Sequence, residues 1–115
     1  VSVGLDFNVG ISGSRLTLAQ RQKLILARSI IKKPDVLVVS DGLSAIETKA
    51  VEDIMKKLVS EMSGRCLIWV LPSISQASFF NKIVAMKKGK IIKSGSYEEV
   101  NSGDGLAKLI EDKNT

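Results

Sequence analysis

Leu16-Thr17-Leu18-Ala19-Gln20-Arg21-Gln22 opens the stretch that decides the fold, and Pro34-Asp35-Val36-Leu37-Val38-Val39-Ser40-Asp41-Gly42-Leu43-Ser44-Ala45-Ile46-Glu47 completes it. Between them, apolar residues recur at Leu18, Ala19, Leu24, Ile25, Leu26, Ala27, Ile30 and Ile31. Gln20, Arg21, Gln22, Lys23 and Arg28 fall opposite, so the spacing predicts an amphipathic helix with a wide buried stripe. Thr17 has the side chain of an N-cap. Lys32 and Lys33 suit the negative end of the helix dipole, and Pro34 stops the helix. The unbroken run Val36–Val39 then predicts a strand over 35–40, buried on both faces as in a parallel sheet covered by helices.

Working outward, Ile46, Ala50, Ile54, Leu58 and Met62 share one face of a helix over 45–62, with Val51 and Met55 broadening it. Ser63-Gly64 ends that helix, and 65–71 reads as a second core strand. Strand, helix, strand is a right-handed crossover when the sheet is parallel. Residues 1–15, with glycines and serines between short apolar stretches, read as loop with one short strand. Beyond Pro72, a short helix is expected over 74–80. Residues 83–86 and 90–93 form a hairpin around a Lys-Lys-Gly-Lys turn in which Gly89 supplies the bend. Ser96-x-x-Glu99 resembles a capping box, and 105–112, with Leu106, Leu109 and Ile110, reads as a last helix. No internal repeat is present.

At 115 residues and 12.4 kDa the chain is one domain at most, and 44% hydrophobic content sets it apart from disordered chains. No apolar run approaches the roughly 20 residues of a membrane-spanning helix, so a soluble fragment is expected. The single cysteine, Cys66, excludes disulfides and cysteine-based metal sites within the chain, and its apolar surroundings predict a small buried hydrophobe. The lack of histidine removes His-based acid–base and zinc chemistry. The formal charge of +5, from 17 basic and 12 acidic residues, owes part of its excess to Lys82, Lys87, Lys88, Lys90 and Lys93. That cluster lacks arginine and interleaved aromatics, so it reads as a solvated face and no nucleic-acid partner is expected. A phosphate loop of the form Gly-x-x-x-x-Gly-Lys-Ser/Thr does not occur. A triphosphate would need that cradle from other sequence or another subunit. The start at Val1 rather than Met leads us to expect an excised piece of something longer.

The order of these segments resembles the C-terminal half of an ABC-type ATPase domain: signature motif, Walker B strand, D-loop. The resemblance covers nearly the whole chain. It implies an α/β, partial P-loop NTPase-like fold with parallel core strands, flanking helices and a C-terminal β-hairpin. The expected organisation over 1–115 is a loop region at 1–15, the signature helix at 16–33 and the end of the catalytic subdomain at 34–115, with the phosphate-loop half absent.

The family signature Leu-Ser-Gly-Gly-Gln falls on Leu16, Thr17, Leu18, Ala19 and Gln20. There the resemblance implies contact, across a head-to-tail dimer, with the γ-phosphate held by a partner. Leu18 and Ala19 add Cβ atoms where glycine backbone approaches phosphate closely. The family's magnesium-associated aspartate falls on Ser40 and its catalytic glutamate on Asp41. Serine keeps an oxygen without the charge. Aspartate keeps the charge but is one methylene short, and about 1 Å of misplacement costs roughly a hundredfold in rate. A one-residue shift makes Asp41 the metal-associated carboxylate and leaves Gly42 for the glutamate. The switch histidine falls on Pro72, which has no donor at all. Ser44, Ala45, Ile46 and Glu47 match the D-loop Ser-Ala-Leu-Asp, implying an interface that links two sites.

The family thus implies a degenerate domain of a membrane transporter, at the cytoplasmic face of the cell membrane. It would pair with a second ATPase domain and a transmembrane domain, with ATP and magnesium present only in the full assembly and no metal site or hydrolysis in the fragment alone. Alternatives are a slow ATPase half using Asp41, a soluble ABC-like fragment of DNA maintenance, and an unrelated α/β regulatory domain.

Overall fold

Strand β1 (Val36–Val39) pairs in parallel with β2 (Cys66–Trp69), placing Val36 opposite Cys66 and Val39 opposite Trp69. The computed structural model describes residues 4–71 and 74–102 and divides into two units, with the boundary between Val70 and Leu71. In the first unit the ladder runs past both ends of the pair. The Cys66 N–H donates to the Asp35 carbonyl at 2.9 Å and the Val70 N–H to the Val39 carbonyl at 2.8 Å. Parallel pairing requires a long return path, and helix α2 (Thr48–Glu61) supplies it.

Burial of β1 differs from the expectation. Leu37 and Val39 are buried, but Val36 and Val38 are 54% and 59% exposed. Among the described residues the sheet has two strands. Only one of its faces is covered, and the pleat sends alternate side chains to the open side. Register puts Cys66 and Ile68 on that same open side, opposite Val36 and Val38. Cys66 is therefore an exposed thiol and not the buried hydrophobe expected from its neighbours.

Helix α1 (Leu18–Ile31) forms where the periodicity placed it, yet it buries no residue. Leu24, Ile25 and Ile31 of the expected stripe stand exposed. The amphipathic pattern is present, but among the described residues it is covered only in part, with Leu26 and Ile30 half-buried. The helix closes with Lys33 at φ 50, a left-handed residue just past the cap whose N–H donates to the Ile30 carbonyl at 2.9 Å.

Helix α2 begins at Thr48 and not at 45, because Ser44 and Ile46 are tied into turns by bonds to the Asp41 and Leu43 carbonyls. Its buried residues are Val51, Met55 and Leu58, with Ala50 and Ile54 half-buried. The centre of the stripe is thus rotated by about one residue from the expected line. Gly64, at φ 82, takes the turn into β2. Residues 4–15 contain two short 3-10 turns, Gly4–Asp6 and Ile11–Gly13, in place of the expected strand. No helix among the described residues is long and apolar enough to cross a membrane.

The second unit has a 3-10 turn at Ile74–Phe79, a hairpin of β3 (Ile83–Lys87) and β4 (Lys90–Gly95), and the single turn of helix α3 (Tyr97–Val100). Ala77, Ile83, Ala85 and Val100 form its core, with half-buried Leu71, Ile74, Phe80 and Tyr97 packed around them. Lys88 and Gly89 make a two-residue turn with φ of 51 and 76. Positive φ at both positions is what the right-handed strand twist demands of so short a loop. The capping box is present: the Ser96 hydroxyl accepts from the Glu99 N–H, and the Glu99 carboxylate accepts from the Ser96 N–H, each at 3.2 Å. Those two Ser96 groups, the backbone N–H first, hold the Glu99 carboxyl below its ordinary pKa. Pro72 and the expected helix over 105–112 lie outside the described residues.

Candidate functional site

The loop before α1 is shaped by glycine. Gly10 has φ 78, and a Cβ there would run into the Ser14 hydroxyl. The Asn8 side chain accepts from the Gly10 N–H at 2.9 Å, and the Arg15 N–H closes the loop on the Val9 carbonyl at 2.8 Å. Leu16, 8% exposed, anchors its end.

Thr17 then turns the chain into α1 with extended backbone, φ −66 and ψ 163. Its hydroxyl accepts from the Gln20 N–H at 3.1 Å, while the Gln20 side-chain oxygen accepts from the Thr17 N–H at 2.9 Å. This is a complete capping box, which the sequence reading missed at the second partner because Gln20 was read for its place in the signature. Each polar side chain of the signature thus accepts from the other residue's backbone N–H. Leu18 projects outward at 53% exposure, and Ala19 is half-buried.

At the C-terminal end of β1, Ser40 and Asp41 are both exposed. The Asp41 carbonyl accepts from the Ser44 N–H at 3.3 Å, the first bond of the turn that follows. Leu43 and Ile46 point inward, 7% and 8% exposed, so Ser44 and Ala45 are the part of the segment held out on the surface. Glu47 occupies the N-cap of α2 without a side-chain cap bond. A longer acid cannot fold back on its own helix as Asp or Ser does.

Gln22 brings the two stretches together. Its side-chain N–H donates to the Ser44 hydroxyl at 3.1 Å, and its side-chain oxygen accepts from the Ala45 N–H at 2.8 Å. The helical spacing places Gln22 on the polar side, and Arg21-Gln22 keeps the frame of the family resemblance, but neither names a partner for its side chain. No local pattern signals a contact across more than 20 residues; only the segment's later position in space makes it readable.

With this geometry in place, comparison with known proteins becomes specific. A solved bacterial Atm1-family ABC exporter with ATP bound superposes on the whole chain with a TM-score of 0.81 at 24% identity, the chain covering 20% of that protein. The fold is an α/β, ABC-ATPase-like one. In sequence, the ATP-dependent lipid A-core flippase of Hahella chejuensis is 34% identical over 102 residues, 89% of this chain and 17% of the flippase. The sophorolipid transporter of Starmerella bombicola is 33% identical over 112 residues, 97% of this chain and 9% of that protein. The chain therefore spans a fifth or less of the length of these proteins. No protein-family model matches it.

The ABC-ATPase fold thus supplies the frame in which the capped start of α1, the end of β1 and the Ser44-Ala45 segment stand together in one unit. Among the described residues no group of three His, Cys, Asp or Glu side chains converges.

Proposed function

We propose that this chain is the C-terminal part of a degenerate nucleotide-binding domain of an ABC-type membrane transporter. On this reading it pairs head to tail with a second ATPase domain at the cytoplasmic face of the membrane. It supports or regulates ATP-driven transport and does not hydrolyse ATP at its own strand end.

The observation that carries the reading is the end of β1, where an exposed hydroxyl at Ser40 and one exposed carboxylate at Asp41 follow the strand. Bound magnesium would neutralise phosphate charge and hold the nucleotide for in-line attack. The residues here fit that ion poorly: one acid where the resemblance implies two, and no phosphate loop in the sequence. Exposed Leu24, Ile25, Val36, Val38 and Ile68 support a larger assembly, because such apolar surface is ordinarily covered.

A slow ATPase half is the second reading, favoured by the accessible Asp41 carboxylate. Measuring ATP binding and steady-state turnover of the complete transporter, with and without Asp41→Asn, separates the two. Turnover insensitive to the change is expected; its collapse would make Asp41 a working catalytic acid and overturn the proposal.

A further inference from the structure

We infer that Gln22 is a positioning residue that ties the Ser44-Ala45 segment to the start of α1, so that the two shift as one body. The functional half of this inference rests on the ABC-transporter reading; the tie itself does not.

Three observations carry it. First, the side chain uses both halves of its amide, donating to the Ser44 hydroxyl and accepting from the Ala45 N–H. Among uncharged side chains of this reach only glutamine offers a donor and an acceptor side by side, and asparagine is a methylene too short. Second, the neighbouring N–H groups of Ser44 and Ile46 are satisfied within their own turn, by the Asp41 and Leu43 carbonyls. The Ala45 N–H between them instead finds its acceptor on α1. A turn that leaves one donor to another element is fixed by that element. Third, no residue of α1 is fully buried; Leu26 and Ile30 are half-buried, as is Gln22 itself. With so little of α1 in the core, the bond pair is a discrete tie rather than one contact among many in a packed interface.

In the transporter reading, the start of α1 faces the nucleotide held by the partner domain, and the Ser44-Ala45 segment lies on the domain interface. Movement at the first is then delivered to the second through the Gln22 amide. Leu43 and Ile46, buried on either side, confine the response to the two residues between them.

Two measurements test this, using Gln22→Leu, Gln22→Glu and Ser44→Ala. In this chain, amide exchange followed by NMR should speed up at Ala45 by about tenfold in Gln22→Leu, the equivalent of one lost hydrogen bond, without comparable change at Ser44 and Ile46. Gln22→Glu should keep Ala45 protected, since a carboxylate still accepts from that N–H and from a reversed serine hydroxyl. Ser44→Ala should leave most of the protection, because the Ala45 bond survives.

In the complete transporter, Gln22→Leu should lower maximal ATP turnover by about three- to tenfold while the KM for ATP changes less than about twofold, a split expected when positioning and not binding is lost. Gln22→Glu should restore the rate. Unchanged exchange at Ala45 in Gln22→Leu would show that the tie does not hold in solution. Released exchange with unchanged turnover would show that the tie transmits nothing. A wild-type transporter with no ATP turnover would instead count against the ABC reading, leaving the tie to be judged by the exchange measurement.

Discussion

Helices α1 and α2 have the same length, 14 residues, and are held in opposite ways. α1 is fixed near its ends, by the Thr17–Gln20 capping box, by the Gln22 bonds one turn in and by the left-handed Lys33 at its close. Along its length no residue is fully buried, Leu26 and Ile30 being half-buried. α2 is fixed along its length, with Val51, Met55 and Leu58 buried, while Glu47 leaves its N-terminus without a side-chain cap. Capping contributes about 1 kcal/mol and a buried core side chain about two or three times that. The first helix is therefore oriented by a few polar bonds, and the second is part of the core. A helix oriented in this way can be moved by changes at its start, whereas one held by its face moves only with the unit.

The contrast breaks most visibly at Met55, which is fully buried, and Leu24, which is 46% exposed. Met55→Ala should destabilise the chain by about 2–5 kcal/mol in urea unfolding. Leu24→Ala should cost less than about 1 kcal/mol. Equal costs would mean that α1 is packed in solution and that the difference between the helices does not exist.

The ends give the next largest effect. Thr17→Ala should cost about 1 kcal/mol, and Glu47→Asp, which brings a capping carboxylate within reach of α2, should gain about 0.5–1 kcal/mol. Thermal unfolding of the two variants should move in opposite directions. A loss in Glu47→Asp would show that the longer side chain serves another contact.

The smallest effect separates two capping boxes by their chemistry. Gln20 does not titrate, but Glu99 does, and its folded pKa is lowered by the Ser96 N–H and hydroxyl. A lowered folded pKa means that the cap contributes fully above the ordinary glutamate value of about 4.3 and is lost as pH falls through the folded value. The Ser96 and Glu99 amide resonances should therefore shift in acid while those of Thr17 and Gln20 hold still. Parallel shifts at both boxes would point to general acid unfolding instead.

Local rules made much of this fold readable. Thr17, Pro34, Gly64, Gly89 and the Ser96–Glu99 pair each act within four residues, and each stands at the boundary its chemistry implies. Parallel pairing of β1 with β2 followed from the apolar run and the intervening helix. What could not be read was which apolar surface is covered. Val36 and Val38 have the same chemistry as Val39, and only the number of neighbouring layers separates them. The same holds for Cys66 and for the bare stripe of α1. Around the candidate site, the place of Ser40 and Asp41 just after β1 and of Ser44–Glu47 just before α2 was legible from the strand–turn–helix pattern. Gln22 was not, because its partners are 22 and 23 residues away and leave no periodic trace.

The open side of the β1–β2 pair has one more consequence. The chain's single thiol, in Cys66, stands on it in register with Val36, beside Val38 and Ile68. A maleimide added to the unmodified protein thus titrates solvent access to this surface alone, with no competing thiol and no engineered label. The chain carries its own footprinting probe for whatever comes to rest against that sheet.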